Sequence, residues 1–373
     1  MKIPFCSLTA WKTLYGAAAA FRDIACWDWM ADTDVFGVQN PETRDTGYCC
    51  VLGELGEVLG LVVYLGSEGL EQHRKIQSGK LRASSPDFVH SQHCLTTWFG
   101  DRGDLDKSDL RVVKDIGLKF QGRNAWPQFR SLQPGYLPWY LTEAEAKFLT
   151  LCLDQARHVA ICFKNDPQWL TAPSRNHYLV RVPVEGSAQA DDLGKNPFTE
   201  PSVSVAQQLL FNEPDRAKGW QWQDQWLKPA PLTKAPVRSI QPDEVRLQRI
   251  KRIAQAQRGV WEVDAFYTPT PVDGDNRPFF PYALLCADRD SGLIFDTVLA
   301  EPATWEAQFS KSLLDCIENY KLVPKALCVR KDELRQVFEP LAAPLGVEVQ
   351  STTKLPAVDR ARRGLLKFLK LRS

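Results

Sequence analysis

Residues 90–94 read His90-Ser-Gln-His93-Cys94, which sets three soft metal-ligand side chains within five residues. In a helix, His-x-x-His spacing would put both imidazoles on one face, where zinc or another borderline metal is held. The apolar run from residue 93 predicts a strand instead, and in a strand positions 90 and 93 point to opposite faces. No Cys-x-x-Cys completes a tetrahedral set, so loop histidines beside a buried thiol are the competing reading. Acyl transfer needs a nucleophile and a base brought together. The five histidines, at 73, 90, 93, 158 and 177, stand in no nucleophile-elbow motif. Around Gly53, Gly56 and Gly60 there is no Gly-Lys-Ser/Thr, and Glu54 and Glu57 would repel phosphate, so this spacing predicts a tight hairpin.

Cations make the clearest binding pattern. From residue 354 to the end there are seven (Lys354, Arg360, Arg362, Arg363, Lys367, Lys370 and Arg372) against one acid, Asp359. That segment carries +6 in a chain whose net charge is +1. Val358, Ala361, Leu365, Phe368 and Leu369 form an apolar stripe, so a terminal helix docks on a sheet and turns its cations to water. Arg360, Arg363 and Lys367 on that helix are candidate phosphate contacts, as are Arg249 and Arg252 on an earlier basic helix. The competing reading is a solvated helix whose late cations complement its C-terminal dipole. Trp220, Trp222 and Trp226 share a predicted strand and suit core or interdomain packing better than base stacking.

These side chains need a fold to hold them. A length of 373 residues, at about 150 residues per domain, predicts two to three units. The balance of 46 Lys and Arg against 45 Asp and Glu excludes a globally basic nucleic-acid coat, and 44% hydrophobic residues exclude a mainly disordered chain. Ten dispersed cysteines beside apolar residues read as buried reduced thiols. The N-terminus lacks the continuous apolar core of a signal peptide, and no apolar run approaches the roughly 20 residues of a membrane span. The expectation is a cytoplasmic protein with no membrane segment.

Trp11, Leu14, Tyr15, Ala18, Phe21, Ala25 and Trp29 recur at helical spacing. Residues 48–52 and 58–65 predict a hairpin, 67–76 a helix capped by Ser67, 93–99 and 129–140 strands, and Thr142 with Glu145 a capping box for a helix over 144–162. Residues 1–170 are therefore read as an α+β domain with a small antiparallel sheet. Residues 171–275 are punctuated by proline and read as a connector with strands at 178–184 and 220–227 and a basic helix over 242–258. Residues 276–373 run hairpin, helix, strand, helix, strand, helix, which predicts an α/β domain.

Two resemblances arise from these segments. The run over residues 47–70, Gly-Tyr-Cys-Cys-Val-Leu-Gly-Glu-Leu-Gly-Glu-Val-Leu-Gly-Leu-Val-Val-Tyr-Leu-Gly-Ser-Glu-Gly-Leu, resembles the N-terminal domain of a bacterial two-domain family of unknown function. The C-terminal block resembles the domain that accompanies it. The order of elements from Phe279 onward is similar to the ribonuclease H-like fold of transposase and integrase cores. That likeness implies acids on the first strand, near a later strand and on a helix, holding two divalent metals, Mg or Mn, against a phosphodiester. The matching positions are Asp288, Asp332 and Asp359. Asp288 falls at the strand's end, and Arg330 stands where an acid belongs, a cation that opposes metal binding.

The resulting expectation is a non-catalytic interaction or regulatory module with no cofactor, recognising nucleic acid through its basic helices or a protein partner. The alternatives are a metal-dependent phosphodiesterase using Asp288, Asp332 and Asp359, and a structural protein-interaction protein. The sequence leaves the oligomeric state open.

Overall fold

A computed structural model describes residues 6–54, 56, 58–82, 85–185, 220–232, 243–253 and 256–370. The expectations at Glu57, Pro242 and Arg372, and the prolines between 186 and 219, lie outside them.

The first sheet is built from β1 (Phe36–Gln39), β2 (Thr46–Leu52), β3 (Leu59–Leu65), β4 (Cys94–Gly100), β5 (Trp126–Leu132), β6 (Tyr178–Glu185) and β7 (Trp220–Leu227), in the order β5-β4-β3-β2-β1-β6-β7. It is antiparallel throughout except where β6 runs parallel to β1, so it is larger than the small sheet expected. Strand alternation sorts its side chains. Cys49, Val51, Leu61 and Val63 join a core with α1 (Leu8–Ile24) and α5 (Glu143–Asn165). Tyr48, Cys50, Val62 and Tyr64 face α2 (Gly66–Gln77) through Leu70. Two short helices, α3 (Pro86–Ser91) and α4 (Lys107–Asp115), connect the strands.

The Thr142/Glu145 capping box opens α5 as its sequence predicts. Ser67 does not cap α2. That helix begins a residue earlier, at Gly66, and the Ser67 hydroxyl donates instead to the Ala230 carbonyl at 2.6 Å.

The second sheet has the order β11-β10-β9-β13-β14. After α6 (Glu244–Ile253) and the short β8 (Ala256–Gln257) come β9 (Val260–Tyr267), β10 (Tyr282–Asp288) and β11 (Ile294–Ala300), an antiparallel meander. Next are α7 (Trp305–Tyr320), β12 (Leu322–Val323), which pairs with β8, and β13 (Ala326–Val329). The chain closes with α8 (Asp332–Ala342), β14 (Glu348–Ser351) and α9 (Pro356–Lys370). β13 lies parallel to both β9 and β14. A three-strand meander, with two further strands added parallel to its first member through helical crossovers, is the ribonuclease H-like arrangement.

This sheet corrects the sequence reading in two places. The fold's first strand is β9, not the strand expected from Phe279. Glu262 and Asp264 interrupt the apolar run of Trp261-Glu-Val-Asp-Ala-Phe266 and hide it from a search for apolar strands. The stretch 171–275 is not a separate connector either: β6 and β7 complete the first sheet, while α6 and β9 belong to the second.

The odd residues of β9, Trp261, Val263 and Ala265, face α6, α7 and α8, whereas Phe266 lies in the cluster under α9. The two basic helices therefore lie on opposite faces of one sheet.

The two sheets meet through a polar clasp. Leu137 N donates to Pro278 O (3.1 Å) and Phe280 N to Gly135 O (2.8 Å). The Arg277 guanidinium reaches the carbonyls of Leu137 and Ser131. Burial of that cation brings its pKa down to about 10. Gly135 adopts φ +80°, and a Cβ there would sit 2.6 Å from the Tyr267 ring. No helix among the described residues is long and apolar enough to cross a membrane.

Candidate functional site

The parallel register pairs Val329 of β13 with Val263 of β9, so the next residue, Arg330, emerges beside Asp264. Asp359 sits in the first turn of α9, which packs over this face. Arg330 joins the two acids: Nη1 lies 2.8 Å from Asp264 Oδ2 and Nη2 lies 2.7 Å from Asp359 Oδ1. Asp264 is 1% exposed, and burial pushes its carboxyl above the usual range against the pull of Arg330 and Lys331. Burial also opposes the charge on Arg330, but the Asp359 hydrogen bond and the neighbouring carboxylates outweigh it and hold the guanidinium above its ordinary value.

Two residues back on β9, Glu262 is fully buried. Its Oε2 accepts from the amides of Ala357 (2.8 Å) and Val358 (3.2 Å), the opening turn of α9, and its Oε1 accepts from Arg289 Nε at 3.2 Å. A carboxylate at a helix N-terminus satisfies orphan amides and the helix dipole together. Arg289 also donates to Cys328 Sγ (2.8 Å), and the Arg362 guanidinium stacks on Phe266 with 4.5 Å to the ring centre. The acids Glu262, Asp264 and Asp359 are thus matched by Arg289, Arg330 and Arg362. A two-metal site requires an excess of carboxylates over fixed cations, and that excess is missing.

Of the three acids matched by resemblance, only Asp359 belongs to this cluster. Asp288 closes β10 opposite Trp261, three residues along β9 from Asp264 or about 10 Å at ~3.4 Å per residue. Its carboxylate accepts from Ser291 N (2.8 Å) and Oγ (2.7 Å). Partial burial opposes these bonds, but they win and lower its pKa. Asp332 opens α8, on the opposite face of the sheet. Sequence reasoning missed Glu262 and Asp264. The available signal was their i, i+2 spacing, which puts two acids on one face of a buried strand.

His90, His93 and Cys94 diverge. The His90 ring packs against Phe280 and Tyr267, with centroids 4.5 and 5.1 Å away. His93 Nδ1 lies 3.9 Å from Glu68, and the buried Cys94 thiol is pushed up to about 12 by desolvation. Among the described residues no group of three or more His, Cys, Asp or Glu is placed to hold a metal. Trp222 packs against the first core.

The candidate phosphate contacts fare unequally. Arg360, Arg363 and Lys367 are exposed, and their spacing of three and four puts them on one face of α9. On α6, Arg249 pairs with Glu318 at 2.5 Å while its neighbour Arg246 pairs with Asp315 and Glu318; Arg252 is exposed.

Comparison with known families finds one match on each part of the chain. Residues 11–181 match the family model described as Domain of unknown function (DUF7309), and residues 246–366 match Domain of unknown function (DUF6930). The chain is a two-domain protein that carries these domains in that order, as its residue resemblance implied. No curated protein matches it. Among solved structures it is similar to the catalytic core domain of BIV integrase, at 19% identity over 29% of this chain and 67% of that one, with a TM-score of 0.23. It is also similar to a chain of the simian T-cell lymphotropic virus intasome in complex with PP2A regulatory subunit B56 gamma, at 20% identity over 32% and 43% of the two chains, with a TM-score of 0.21. At these scores the likeness adds nothing to the strand order, which rests on its own ladders.

Proposed function

We propose that the chain is a non-catalytic, nucleic-acid-engaging module in which a ribonuclease H-like sheet serves as a platform for α9. The observation that carries this reading is Arg330 between Asp264 and Asp359. A guanidinium there supplies internally the positive charge that divalent metals would bring, so the acids fasten a helix instead of activating water. Arg360, Arg363 and Lys367 then offer three cations in line on the exposed face of that helix, each adding salt-sensitive affinity for a phosphate backbone.

The test is fluorescence anisotropy of labelled single- and double-stranded DNA and RNA at two salt concentrations, with and without Mn²⁺, followed by gel analysis of the recovered strands. The expected result is salt-sensitive binding of intact strands. Loss of both binding and cleavage would leave a protein partner as the working answer.

A second reading, a metal-dependent phosphodiesterase using Mg or Mn, draws on Asp264 and Asp359 facing a common centre within reach of one guanidinium. Metal-dependent strand cleavage in the same experiment would select it.

A further inference from the structure

We infer that Arg330 is a positioning residue for the phosphate-binding face of α9, acting through Asp359 without touching the bound strand; this rests on the function proposed above. On its sheet side, α9 is held by a small apolar cluster in which Val358 and Ala357 are buried while Ala361, Leu365 and Leu366 are only partly covered. Polar anchors fix its first turn. Glu262 accepts from two of its amides, and Arg330 ties Asp359 to Asp264 of the central strand.

Asp359 and Arg360 are neighbours, so the rotation of the first turn that satisfies Arg330 also sets the direction of the cation line through 360, 363 and 367. A planar guanidinium bonding two carboxylates through different nitrogens specifies geometry as well as charge. Without it, Asp264 and Asp359 would face each other as like charges, and the first turn would move away from the sheet.

Charge alone and positioning make opposite forecasts for one substitution. Asp359→Ala removes an acid beside the cation line, so pure electrostatics would tighten nucleic-acid binding. Positioning forecasts weakening.

The experiment measures anisotropy on the best-bound of the four strand types, for the full chain and for Asp359→Ala, Arg330→Ala and the double variant, across a salt series. Expected are losses of about fivefold in each single variant and a double variant no worse than either, because both act through one link. The dependence of log affinity on log salt should stay as in the parent, whereas Arg363→Ala should reduce that slope by about 1.

Tighter binding by Asp359→Ala, or a slope reduced by Arg330→Ala, would overturn the inference. Failure of the parent chain to bind any strand would instead overturn the function on which it rests. Should Arg330→Ala fail to fold, the sign of the Asp359→Ala effect decides alone, since its side chain is 37% exposed.

Discussion

Helices α6 and α9 look alike as sequences, each basic and each with an apolar stripe, yet the fold treats them in opposite ways. On α6, Arg246 and Arg249 face the acids Asp315 and Glu318 of α7 and are neutralised within the domain. On α9, the acid that the sheet engages is the helix's own Asp359, held by Arg330, and Arg360, Arg363 and Lys367 remain on the outer face. A cation is available to a partner only when the tertiary structure supplies no counterion, and local composition does not report that. The opposite faces of the sheet also divide what reads as one basic surface into two.

The largest effect expected from this contrast is on binding. Replacing Arg360, Arg363 and Lys367 with Gln should weaken nucleic-acid affinity about a hundredfold at moderate salt, at roughly 1 kcal/mol per lost phosphate contact. Retained affinity in an anisotropy titration would show that α9 is not the contact surface.

Next comes the anchor. Arg330→Ala leaves the buried Asp264 carboxylate unpaired and should cost about 3 kcal/mol of stability in urea unfolding, toward the lower end for a broken buried pair because Arg330 is 27% exposed. An unchanged midpoint would mean that the pair is not part of the fold's support.

On the α6 side the loss should be smaller and pH-dependent. Hydrogen bonds from Arg246, opposed by partial burial, hold the Glu318 carboxyl below its ordinary 4.5. A depressed carboxyl stabilises the fold above its unfolded value, and that contribution disappears as pH falls through the folded value. Between neutral pH and about 5 the parent should therefore exceed Glu318→Gln by about 1 kcal/mol, a gap that closes below 4.5. A gap that persisted in acid would contradict the ion-pair account.

Arg249→Gln, whose cation Glu318 already pairs, should change nucleic-acid affinity by less than about threefold, and a loss matching that of a single α9 cation would merge the two helices into one binding surface.

What the sequence made legible follows from how local each feature is. The amphipathic α9, the capping box at Thr142 and the β2–β3 hairpin depend on neighbours within a few residues, and the structure contains all three. Strand β9 escaped because Glu262 and Asp264 are buried polar residues with partners about 25 to 100 positions away, Arg289, Arg330 and the start of α9. A local pattern cannot register such compensation. The same distance concealed the Arg277 clasp, whose acceptors lie 140 and 146 residues earlier, and the counterions of α6. Arg330 itself was legible as a cation out of place; the acid it meets on β9 was not.

On the proposed function, Arg330 takes the place of a metal between Asp264 and Asp359. This is tested most directly by titrating the full chain with Mn²⁺ and following the free ion by electron paramagnetic resonance, in parallel with Asp264→Asn. Expected is no saturable site that the substitution abolishes, up to millimolar Mn²⁺. A site that fills in the parent chain and vanishes in Asp264→Asn would contradict that reading and return the cluster to metal-dependent chemistry.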